Sequence, residues 1–62
     1  MTDQANPRTP GHTTTLTDGR TITFVADNGL NVALDLDTGK GKPKRIFIQS
    51  AVYDMVVERK RL

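Results

Sequence analysis

Asn31-Val32-Ala33-Leu34-Asp35-Leu36-Asp37 is the stretch on which the fold turns. Its residues alternate, placing Val32, Leu34 and Leu36 on one face of a strand and Asn31, Ala33, Asp35 and Asp37 on the other. Starting one residue earlier, the same stretch reads as a helix: Leu30, Ala33 and Leu34 share one face at i, i+3, i+4 spacing, and Asp27 or Asn28 supplies a cap. The local alternation favours the strand. Thr38-Gly39-Lys40-Gly41 ends whichever element precedes it.

Toward the N-terminus, Arg20-Thr21-Ile22-Thr23-Phe24-Val25 is the clearest strand, with Ile22 and Phe24 on one face and Thr21, Thr23 and Val25 on the other. Asp18-Gly19 just before it is a two-residue hairpin signal that would pair residues 13–17 with this strand. Residues 1–18 hold Pro7, Pro10 and many threonines, with Leu16 as the one large aliphatic residue beyond Met1. They are expected to form a flexible arm, leaving 19–62 as the folded domain.

Toward the C-terminus, Pro43 suits the first turn of a helix, and Phe47, Ile48, Ala51, Val52, Met55 and Val56 follow at helical spacing. Arg59-Lys60-Arg61 complements the negative end of that helix.

A domain of 62 residues buries only about 60% of the surface of its unfolded chain and is marginal alone. The chain has no cysteine and one histidine, His12, too few ligands for a structural metal, so oligomerisation is the expected remedy. No metal, cofactor or membrane span is expected. The N-terminal residues lack the pattern of a signal peptide, which makes a cytoplasmic protein the expectation. The net charge is only +2, but the bases cluster: Lys40, Lys42, Lys44 and Arg45 within six residues, then Arg59, Lys60 and Arg61.

Read as strand, short helix, glycine-containing turn and longer helix, residues 20–62 resemble the ribbon-helix-helix family of DNA-binding proteins (MetJ/Arc type). Thr21-Ile22-Thr23-Phe24 looks like the family strand. Leu30-Asn31-Val32-Ala33-Leu34-Asp35 is similar to its first helix, and Phe47-Ile48-Gln49-Ser50-Ala51-Val52 to the core of its second. The resemblance implies a mostly α fold, one strand followed by two helices, intertwined as an obligate homodimer with Ile22, Phe24, Leu30, Leu34, Phe47, Ile48, Ala51, Val52, Met55 and Val56 in a shared core. It further implies a repressor or plasmid partition or copy-number protein that reads double-stranded DNA, with further dimers on repeated sites. Thr21, Thr23 and Val25 would face bases, while Arg20, Lys42, Lys44 and Arg45 would hold phosphates. Arg8 in the arm would touch a partner such as a partition ATPase.

No catalytic set of nucleophile, base and acid stands out, and no glycine-rich phosphate loop, so an enzyme is not expected. The competing architecture is α+β. A β-meander of 13–17, 21–25 and 32–37 would turn at Asp18-Gly19 and Asp27-Asn28-Gly29, with the C-terminal helix packed across it. Such a chain would be a protein-interaction module or a phage accessory factor.

Overall fold

A computed structural model describes residues 6–62. Four strands form one antiparallel sheet in the order β1-β2-β3-β4: β1 (Thr13–Thr15), β2 (Thr21–Asp27), β3 (Asn31–Asp37) and β4 (Lys44–Gln49). The helix α1 (Ser50–Arg59) leaves the end of β4 without a loop.

The fold is therefore an α+β meander, which overturns the mostly α ribbon-helix-helix expectation. The stretch 31–37 is a strand, paired along its length with β2 and β4. Asp27-Asn28-Gly29 is a turn rather than a helix start: Gly29 sits at φ +94°, a conformation open to glycine. The Asn28 side chain accepts from the N–H groups of Leu30 and Asn31, bonds that close a turn. The predicted second helix begins seven residues later than Pro43. Residues 44–49 are extended because the isoleucines Ile46 and Ile48 pack on one face of the sheet, against the buried cluster below the helix. The Asp18-Gly19 hairpin forms as expected, with Thr14 opposite Ile22.

Except at the end of β2, even-numbered residues of the strands make the inner face. Ile22 and Phe24 of β2 and Val32 and Leu34 of β3 are buried with Leu16, Tyr53 and Val56, and Leu36, Ile46, Ile48 and Val57 pack around them. The core thus closes within one chain. Of the ten residues assigned above to a shared dimer core, Leu30, Phe47, Ala51, Val52 and Met55 are exposed.

Between Phe24 and Ala26 the β2–β3 register slips by one residue, a bulge at Val25. Past it Ala26 lies opposite Ala33 on the outer face and Asp27 opposite Val32 on the inner face. An unbroken strand would have sent Asp27 outward with Thr23. The bulge re-aims its carboxylate toward the helix.

The two folds differ in what truncation costs. Leu34→Ala, at a fully buried position, is expected to destabilise the protein by about 2–5 kcal/mol. Leu30→Ala, at a position 77% exposed, should stay within about 0.5 kcal/mol of the parent in urea titrations. A ribbon-helix-helix core would make both losses large.

Candidate functional site

Residues 6–12, within the stretch expected to be an arm, lie against the fold. Gly11 N–H donates to Phe24 O at 2.9 Å and Phe24 N–H to His12 O at 2.8 Å, extending the β1 side of the sheet. Arg8, expected to reach an outside partner, ends among groups of its own chain. Its guanidinium donates to Asp27, to Ser50 O at 3.0 Å and to Asp54 Oδ1 at 3.0 Å, and lies 5.5 Å from the centre of the Tyr53 ring. Tyr53 donates its hydroxyl to Pro7 O at 2.6 Å and sits 5.5 Å, centre to centre, from Phe24. Burial works against the Arg8 charge, but Asp54 and Asp27 outweigh it and hold its pKa above the usual value.

The residues expected on DNA are placed elsewhere than a ribbon would put them. Thr21, Thr23 and Val25 belong to β2, an interior strand, where Thr23 Oγ1 lies 3.3 Å from Thr13 Oγ1. Arg20 is tied to Asp18 at 2.6 Å, and Arg45 to Asp35 at 2.6 Å. Lys42 and Lys44 lie in and after the β3–β4 loop, away from the helix start. With the ribbon gone, this arrangement gives no support for DNA binding.

What the fold does gather is charge. Antiparallel pairing sets Thr15 opposite Thr21, Thr21 opposite Asp37 and Leu36 opposite Lys44, so the β1–β2 turn and the β3–β4 loop share one end of the sheet. The helix ends there too, since Thr17 N–H donates to Lys60 O at 2.8 Å. Arg20, Lys40, Lys42, Lys44, Arg59, Lys60 and Arg61 therefore converge on one pole, where they outnumber Asp18 and Asp37. Among the described residues, only Arg20 of these seven forms an ion pair. Arg8, Asp27 and Asp54 hold the opposite end.

Beside the basic pole runs a shallow groove of about 290 Å³ lined by Val52, Met55, Val56 and Leu62 and rimmed by Arg59 and Arg61. Val52, Met55 and Leu62 are exposed there although they are apolar. Sequence reasoning missed this pairing of groove and pole. The base clusters were visible, but it assigned Val52 and Met55 to a core. Among the described residues no group of three or more His, Cys, Asp or Glu side chains is placed to hold a metal. Nor, among the described residues, is any helix long and apolar enough to cross a membrane.

Comparison with protein-family models, with curated proteins and with solved structures finds no match for this chain.

Two outcomes test the Arg8–Tyr53 arrangement. Arg8→Ala should cost about 1–2 kcal/mol in urea unfolding, and Arg8→Lys should restore less than half, because one ammonium cannot span three acceptors in a fixed plane. Burial raises the Tyr53 phenol above its ordinary 10.0, with Arg8 opposing and Asp54 adding. The unfolded chain then ionises first, so stability is full below about pH 10 and falls as pH rises toward the folded value. Tyr53→Phe should be less stable at neutral pH, having lost the bond to Pro7, yet show a flatter decline as pH rises above about 10.

Proposed function

We propose that this chain is a small, non-enzymatic protein-interaction module whose basic pole and adjoining helix groove receive an acidic, amphipathic segment of a partner protein. The observation that carries this reading is the meeting of six bases without carboxylate partners among the described residues, Lys40, Lys42, Lys44, Arg59, Lys60 and Arg61, with exposed Val52, Met55 and Leu62. An apolar centre with a charged rim is the anatomy of a protein interface: the centre supplies affinity, and the rim supplies approach and orientation. A polyphosphate ligand would satisfy the bases but leave the three apolar side chains in water. A helical segment with leucines on one face and glutamates beside them satisfies both parts.

A synthetic peptide of that design, fluorescently labelled, is the probe. Anisotropy titration should show binding that weakens as salt rises from about 0.1 to 0.3 M. Exchanging both Arg59 and Arg61 for Glu, or Met55 for Asp, should each weaken it roughly tenfold or more, about 1.4 kcal/mol. Leu30→Asp, at the opposite end, should leave it unchanged. Equal binding by all these variants, or none by the parent, overturns the reading.

A further inference from the structure

The sheet has two edges, and they are treated differently. β1 is three residues long and runs into the turns of residues 6–12, a short and interrupted edge. β4 is six residues, Lys44-Arg45-Ile46-Phe47-Ile48-Gln49, without proline or bulge. Apart from Lys44 at its start and Arg45, which is engaged by Asp35, it carries none of the devices that discourage strand addition.

Which backbone groups are free follows from one bond. Ser50 N–H donates to Leu30 O at 2.8 Å, continuing the ladder in which Gln49 faces Asn31. Backbone direction alternates along a strand, so Lys44, Ile46 and Ile48 also point their N–H and C=O groups at β3. Arg45, Phe47 and Gln49 point theirs outward. The Phe47 side chain lies on the outer face, 69% exposed, beside a shallow dimple of about 170 Å³ that it lines with Ala26, Ala33, Asp27, Asn28 and Asn31.

We infer that a second copy of this chain adds to β4, antiparallel and centred on Phe47, so that the two sheets become one. Two copies related by a two-fold axis through the sheet must pair residues of the same facing and the same backbone direction, which leaves a short menu of registers. Centring on Arg45 sets two arginines opposite one another. Centring on Ile46 places Phe47 against Arg45 and Ile48 against Lys44, and centring on Ile48 places Phe47 against Gln49 and Ile46 against Ser50. Only centring on Phe47 meets apolar with apolar throughout: Phe47 on Phe47, and Ile46 on Ile48 in both directions. Arg45 then faces Gln49, Lys44 faces Ser50, and no like charges are opposed. The outward groups of Arg45, Phe47 and Gln49 in both chains form roughly six backbone hydrogen bonds.

The second copy is the occupant because the strand is its own complement about Phe47. The two helices lie on the same side of the joined sheet, and the basic poles lie at its opposite ends. This inference rests on the backbone and side chains of β4 alone and so stands apart from the acidic-partner reading. Because the core closes within one chain, folding does not wait for association, and the dimer is concentration-dependent.

The full chain should pass from monomer to dimer in sedimentation equilibrium between about 10 μM and 1 mM, the span that strand pairing without a large core permits. Over that range the amides of Arg45, Phe47 and Gln49 should gain protection from hydrogen exchange, while those of Ile46 and Ile48 are protected throughout. The parent has no cysteine, so Phe47→Cys reports on itself: opposed Cα atoms about 5.5 Å apart are within disulfide reach. Mild oxidation should link Phe47→Cys chains, and an equimolar mixture of Arg45→Cys and Gln49→Cys chains, but neither of the latter alone. Phe47→Asp, at an exposed position, should remain folded and monomeric and still bind the acidic peptide. A chain monomeric at every concentration overturns the inference, as does a dimer that Phe47→Asp leaves intact or faster linkage through Val52→Cys.

Discussion

Tyr53 is where the parts of this molecule meet. Its ring packs on Phe24 of the central sheet, its hydroxyl holds Pro7, and the Arg8 guanidinium lies over it while binding Asp27, Ser50 O and Asp54. A helix of ten residues is too short to stand alone in water, and α1 exists because this residue and Val56 give it a sheet to lie on. The same residue helps to order residues 6–12 ahead of β1. A segment with little apolar surface is held by one hydroxyl, one guanidinium and two main-chain bonds to Phe24 rather than by burial.

The bulge at Val25 makes that arrangement geometrically available. One extra residue turns Asp27 from the outer face to the inner one, where it forms one of the anionic partners of Arg8. The size problem of a cysteine-free chain of 62 residues is then solved inside the chain: three hairpin connections bring inner-face residues together, and the helix covers them. The buried cluster is complete without a second chain.

The surface follows from topology as much as from composition. In a meander, alternate connections return to the same end of the sheet, so the β1–β2 turn and the lysine-bearing β3–β4 loop are neighbours. The helix, starting near Leu30 and ending near Thr17, adds its three terminal bases to that end. A net charge of only +2 is thereby sorted into a basic pole and an opposite end where Arg8 meets two aspartates. Ordering the helix along this path also leaves Val52 and Met55 on its uncovered flank.

By itself the sequence determined the β2 strand, the Asp18-Gly19 hairpin, the alternation of residues 31–37 and the existence of a C-terminal helix, because each is a short-range pattern of side-chain facing or turn chemistry. The alternation was legible, and reading it as a helix came from the i, i+3, i+4 spacing of Leu30, Ala33 and Leu34 and from a resemblance whose leucine and aspartate spacing a strand also satisfies. The change from extended chain to helix at Gln49–Ser50 was not legible: no glycine or proline marks it, and Phe47, Ile48, Ala51 and Val52 continue an apolar stripe across it. Only the tertiary structure decided that Ile48 is half-buried while Phe47 is exposed, that Arg8 binds its own chain, and that distant base clusters form one pole. A local pattern says which residues share a face, but what covers that face is set by segments far away in the chain.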